Sequence, residues 1–265
     1  MKLSEKKLFL LDMDGTLYLG DNLFDGTLEF LAEIKKNGGR YVFVTNNSSK
    51  SADAYISKLK RLGIDSTAED FYTSTDATIL HIQNKFSGRK FYVVGTHSFV
   101  KQLSDAGLNI TEELSDDISG LIISNDNELT FKKLEEACII LGREGIEYIA
   151  TNPDWVCPTA FGYVPDCGSY AEMLFKATGK RPYFIGKPRP DMLLLSMEKF
   201  GYTKEESVMI GDRVYTDIAS GYNAGIDTIF VLSGEGTIED AKSSDTPPTY
   251  IFDNIKEVYK KIKQG

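Results

Sequence analysis

The sequence has little of what would tie it to a bilayer, a nucleic acid or an oxidising compartment. No apolar run approaches the roughly 18 residues of a membrane span. The basic start, residues 1–7, is followed by only four apolar residues before Asp12, short of the roughly 7–15 in a secretory signal. A water-soluble cytoplasmic protein with no membrane partner is expected. Basic charge is in deficit: 30 Lys and Arg stand against 39 Asp and Glu, a net charge of −9. Such a surface repels a phosphate backbone, so nucleic acid is not expected as a partner. The three cysteines, Cys138, Cys157 and Cys167, cannot pair completely and show no metal-ligand spacing, which suits a reducing compartment and ordinary packing. His81 and His97 are the only histidines, and neither is expected on a strand end that faces a ligand crevice. No Ser-His-Asp or zinc arrangement can be built from them. Internal repeats and low-complexity tracts are also missing.

What is present is alternation. Strand-length apolar runs recur at 8–11, 41–44, 91–94, 121–123, 148–150, 208–210 and 228–232, with a last short one at 250–252. Most lack polar alternation, as expected of strands covered on both faces. Helix-period segments lie between them at 27–37, 52–62, 99–106, 130–144, 170–178, 190–200, 217–224 and 255–263. Strand-helix alternation implies βαβ units and an α/β fold around a mainly parallel, Rossmann-like sheet. In such sheets ligands bind at the carboxyl ends of the strands. Polar residues follow several predicted strands: Asp12 and Asp14 after the first, Thr45 after the second, Asp212 after Val208-Met209-Ile210-Gly211.

Asp12-Met13-Asp14-Gly15-Thr16 sets two carboxylates at i and i+2 behind a buried strand. They repel one another unless a proton or cation lies between them, and burying both uncompensated would cost several kcal/mol per charge. A hard metal ion answers both problems; a turn and helix cap is the plainer reading of Asp-Gly-Thr. Val44-Thr45-Asn46-Asn47 offers a hydroxyl, amides and backbone N–H groups that can bind anionic oxygens, or cap the next helix. Lys187, in Gly186-Lys187-Pro188, supplies a cation; taken singly, such a residue is more often a surface lysine. Gly211-Asp212-Arg213-Val214-Tyr215-Thr216-Asp217 adds a third and fourth carboxylate. Asp53, Asp76, Asp126 and Asp166 read as turn or helix-cap residues.

The ordered set, Asp-x-Asp-Gly-Thr, Thr-Asn, Gly-Lys-Pro, then Gly-Asp-x-x-x-x-Asp, resembles the haloacid dehalogenase-like (HAD) superfamily. Val-Thr-Asn-Asn, Thr-Asn-Pro-Asp at 151–154 and Gly-Asp-Arg-Val-Tyr-Thr-Asp are similar to subfamily IIA, which holds 4-nitrophenyl, phosphoglycolate and pyridoxal phosphate phosphatases. Asp12 to Thr45 spans 33 positions, enough for one β-turn-helix unit, whereas 142 separate Thr45 from Lys187. A further domain must be inserted there. The expected organisation is a catalytic core of 1–79 and 182–265 with an inserted α/β cap over 80–181. The resemblance makes that cap the C2 type.

The resemblance further implies Mg²⁺-dependent hydrolysis of a small phosphorylated metabolite through an aspartyl-phosphate. Asp12 would be the nucleophile and Asp14 the acid and base. Thr45, Asn46, Asn47 and Lys187 would hold the phosphate. Mg²⁺ would be held by Asp12, the backbone carbonyl of Asp14 and Asp212, with Asp217 a ligand or the orienter of a bound water. Asp14 favours ester hydrolysis over dehalogenation, because dehalogenases lack this second acid. A specificity loop is expected at 155–165, where Cys157 stands at a position that is histidine in some relatives. Trp155 either stacks on a substrate or packs within the cap. A phosphotransferase or mutase using the same aspartyl-phosphate and a non-catalytic phospho-metabolite sensor are the alternatives. A homodimer through the caps stays open.

Overall fold

In the computed structural model, which describes residues 2–49, 52–159 and 161–264, the apolar runs become two separate sheets. Leu8–Leu11 is buried along its whole length and sits in the middle of a six-stranded sheet ordered Tyr250–Phe252, Asp227–Val231, Ser207–Gly211, Leu8–Leu11, Arg40–Thr45, Phe71–Thr73. The pairings from Tyr250–Phe252 through Arg40–Thr45 are all parallel. On one face Phe9, Leu11, Val208 and Ile210 share a core with Phe30 and Ile34 of helix Thr27–Lys36 and with Val258 of Ile255–Lys263. Each such buried side chain stabilises by about 1.5–3 kcal/mol relative to exposure.

The second sheet is ordered Tyr183–Phe184, Glu147–Ala150, Gly120–Ile123, Phe91–Val94, Ile110–Thr111, again parallel throughout. Helices Phe131–Leu141 and Cys167–Thr178 cover it through Ala137, Ile140, Ala171 and Leu174. An antiparallel hairpin, Val156–Thr159 with Gly162–Pro165, precedes Cys167–Thr178.

The chain thus forms two compact units: Met1–Thr45, Asp53–Tyr72 and Lys187–Gly265 make one, and Asn46–Ala52 with Thr73–Gly186 make the other. The boundary expected at 79/80 falls within helix Ser74–Lys85, and the changeover comes at Tyr72 and Thr73 instead. That helix escaped the apolar pattern because its buried face is partly Ser74, Thr75 and Thr78. Its start is set by Thr73, whose hydroxyl accepts from Asp76 N while the Asp76 carboxylate accepts from Thr73 N, a reciprocal cap. Asp76 and Asp166 are helix-start residues as expected.

Candidate active site

Strand register assembles the site. Leu11 pairs with Ile210 on one side and with Phe43 on the other, so Asp12, Asp212 and Thr45 all emerge at one edge of the first sheet. Asp12 N still donates to Ile210 O at 2.9 Å. Asp12, Asp212 and Asp217 each bring one carboxylate oxygen within 4.8 Å of the others. Lys187, 2% exposed at its side chain, lies 2.8 Å from Asp12 Oδ1 and 2.7 Å from Asp217 Oδ1 and donates to Val44 O at 2.8 Å.

Local backbone delivers the two later acids. After Ser207–Gly211 the chain makes a π-helical turn, Val214–Ile218, before helix Ala219–Ala224, where a regular helix from 217 was expected. Ile218 N reaches back five residues to Arg213 O, and Arg213 N donates to Asp217 Oδ2 at 3.1 Å. Widened turns of this kind re-aim side chains. Asp212 is gripped by Glu235 N, which donates to Oδ2 at 2.8 Å, and by Thr16 Oγ1, 3.4 Å from Oδ1. A Cβ at Gly15 or Gly234 would overlap the Asp212 carboxylate, and Gly15 also holds φ at 89°. Only glycine meets both demands at position 15.

Charge is out of balance here. Three carboxylates against one ammonium leave a formal −2 in a desolvated pocket. Burial pushes Asp12 well above the carboxylate range; Lys187 opposes this, and Asp217 and Asp212 add to it. Asp212 is pushed up to about 7, by burial first and by Asp217 next. For Lys187 burial alone would lower the ammonium's pKa, but Asp12 and Asp217 outweigh it and the group is held charged. Oxygen-only donors carrying excess negative charge fit a hard divalent cation such as Mg²⁺, which would relieve this repulsion.

Relatives in sequence and in fold point to one family. A family model described as haloacid dehalogenase-like hydrolase matches residues 9–109, and a second, HAD-hydrolase-like, matches 184–258. The acid sugar phosphatase of Staphylococcus aureus is 34% identical over 262 residues, 99% of this chain and all of its own length. The chain belongs to the haloacid dehalogenase-like hydrolases. It is a phosphatase of that family, with an α/β fold to match. The 4-nitrophenylphosphatase of Thermotoga maritima superposes with a TM-score of 0.90 at 41% identity, covering 97% of this chain and 98% of that one. A glycerol phosphate phosphatase of Mycobacterium tuberculosis, solved with magnesium, superposes with a TM-score of 0.90 at 28% identity, covering 99% and 80%.

Against this HAD framework the predicted residues divide in two. Asp12, Asp212, Asp217 and Lys187 come together in the first unit. Asp14 stands beside them without joining the carboxylate cluster, and Thr45 closes its strand, buried. Asn46, Asn47, Trp155 and Cys157 belong to the second unit. There Asn47 Nδ2 lies 3.8 Å from Cys157 Sγ, and Asn47 Oδ1 accepts from Ser49 N and Oγ at 2.9 and 2.7 Å. Trp155, read from sequence as a stacking or a packing residue, is 52% exposed beside the hairpin strand Val156–Thr159, so it is no core residue. Ala160, at the tip of the expected loop, lies outside the described residues.

Sequence reasoning passed over Thr16, Gly234 and Glu235, which shape and hold Asp212. Their signal is weak: a hydroxyl inside Asp-Gly-Thr and a Ser-Gly-Glu-Gly turn just past a strand. Arg213 pairs with Glu235 at 2.8 Å. Among the described residues no helix is long and apolar enough to cross a membrane.

Proposed function

We propose that this phosphatase hydrolyses a small phosphomonoester, a sugar or polyol phosphate, in a Mg²⁺-dependent reaction through an aspartyl-phosphate on Asp12. The observation that carries the reading is the cluster of Asp12, Asp212 and Asp217, with the Lys187 ammonium against Asp12 and Asp217. The names of the Staphylococcus and Mycobacterium relatives support the substrate class.

An Asp12 carboxylate oxygen attacks phosphorus in line as the ester P–O bond breaks. Asp14 gives its proton to the departing alkoxide, then takes one from the water that attacks the aspartyl-phosphate. Release of phosphate restores both acids. Lys187, fixed by Asp12, Asp217 and Val44 O, orients the nucleophile and offsets the charge of the transferring group. Thr45, Asn46 and Asn47 are assigned the phosphate oxygens. Mg²⁺ would be held by Asp12, the Asp14 carbonyl and Asp212, with Asp217 beside them, and it supplies the positive charge that lets an anionic nucleophile meet an anionic substrate. We assign the second unit the role of cap, with Trp155 and Cys157 toward leaving-group choice. Three free cysteines suit a cytoplasmic setting.

Phosphate release from a panel of sugar, polyol and aryl phosphates, with and without Mg²⁺, tests the activity. Acid quench with a labelled ester should trap phosphoryl on the native chain and none on Asp12→Asn. Label on the variant would remove Asp12 as nucleophile. Phosphate released in step with ester lost separates hydrolysis from transfer to a second hydroxyl.

A further inference from the structure

Asp14 is held in a different way from the acids of the metal cluster. Each of its carboxylate oxygens faces a donor of its own. Lys58 Nζ lies 3.4 Å from Oδ1, and the Tyr18 hydroxyl donates to Oδ2 at 3.4 Å. The donors also brace each other, because Lys58 Nζ sits 3.8 Å from the centroid of the Tyr18 ring, within cation–π range. Both are sequestered: the Lys58 side chain is 11% exposed and Tyr18 is wholly buried. Burial first, then the charge of Asp14, raises the Tyr18 pKa far out of reach, so its hydroxyl stays a donor.

The placement is built by two elements. Gly15 N donates to Tyr18 O at 2.8 Å, closing the loop that turns Tyr18 back beneath Asp14. Lys58 lies on helix Ala52–Arg61 between Tyr55 and Leu59, both buried. A lysine serving solubility would extend its ammonium into water; this one is folded over an aromatic face toward a carboxylate.

We propose that Lys58 and Tyr18 are positioning residues for Asp14, one donor to each oxygen, fixing the rotamer from which it protonates the leaving alkoxide. This rests on the hydrolytic reading above. A carboxyl oxygen has two lone-pair positions, so one donor on each leaves a position free for the proton in transit. A positioned general acid contributes about 10²–10⁴-fold, and a loosened one forfeits part of that.

The leaving group separates positioning from simple structure. An alkoxide departs poorly without a proton, whereas 4-nitrophenolate departs readily without one. The quantity kcat/KM reports the steps through the first irreversible one, here departure of the leaving group. Lys58→Met should lower kcat/KM for glycerol phosphate by about tenfold or more while changing that for 4-nitrophenyl phosphate less than threefold, with saturating Mg²⁺ in both assays. Lys58→Arg should restore most of the loss, and Tyr18→Phe should show the same selectivity more weakly. If Lys58→Met does not fold, as judged by its melting transition, Tyr18→Phe carries the comparison. Equal losses on both esters, or none on either, would overturn the inference. Asp14→Asn is the companion. If its loss is selective and those of the positioning variants are not, only this inference falls. If its loss is unselective, the role given to Asp14 falls, and the inference with it.

Discussion

The two units carry parallel sheets whose strands end near buried acids, and those acids are compensated in different ways. In the second unit Asp126, just past Gly120–Ile123, pairs with Lys133 at 2.8 Å and accepts from Glu128 N at 2.9 Å. Asp166 accepts from Cys167 N, and Asn152 Nδ2 spans Asp154 and Asp166 at 2.9 and 3.2 Å. In the first unit Asp12, Asp212 and Asp217 crowd together, and Lys187 pairs with two of them, Asp12 and Asp217. Topology supplies buried acids at strand ends in both sheets. How many carboxylates crowd together around one cation decides whether an acid pairs off, as Asp126 does with Lys133, or calls for a metal.

The sharpest way to test this contrast is to remove one acid from each unit. Asp12→Asn should lower kcat by at least about 10³-fold, as loss of a nucleophile does, and should raise metal-free stability because a crowded charge is gone. Steady-state assays and urea denaturation read the two effects. Asp126→Ala should do the reverse, costing about 3 kcal/mol by leaving Lys133 without its carboxylate. A stabilised Asp126→Ala protein would mean that the second unit's acids are also in excess.

Lys187→Met should reduce kcat by about 10²–10³-fold, the scale of losing one preorganised charge partner. It should also steepen the dependence of metal affinity on pH, measured by isothermal titration.

The pH dependence of metal-free stability follows from the raised acids. Asp12 and Asp212 bind protons more tightly folded than unfolded; for Asp212 the window runs from the ordinary carboxylate range, about 4, to about 7, and across it the native state holds more protons. Their contribution is therefore present at the acid end and lost as pH rises through the window. Urea denaturation in chelator at several pH values should show it, with Asp212→Asn giving a shallower slope. Mg²⁺ at a hundredfold its Kd should add about 2.7 kcal/mol and flatten the slope.

The smallest effect is expected at the hairpin. Trp155→Ala should shift KM among esters by less than tenfold and leave stability within about 0.5 kcal/mol, because the ring is half exposed. A large loss of stability would show that the ring packs rather than meets substrate.

Elements with continuous apolar runs were legible from the chain, as at Leu8–Leu11 and Tyr250–Phe252. Ser74–Lys85 was not, because threonines fill buried positions where periodicity looks for leucine. Within the site, Asp12, Asp212, Asp217 and Lys187 were legible as an ordered motif. Asp126 read as a turn or cap residue, and its ion pair with Lys133 was invisible because a lysine seven residues on can point anywhere. Lys58 and Tyr18 carried no signal, since neither type nor spacing marks a donor to Asp14.

The order of residues alone determined an α/β chain, its strand-end acids and the motif that names the chemistry, since period, turn chemistry and motif spacing are local. Tertiary structure decided which acids are neutralised. Electrostatic energy depends on separation in space and on local solvation, and the parallel pairing of Leu8–Leu11 with Ser207–Gly211 sets both for residues some two hundred positions apart.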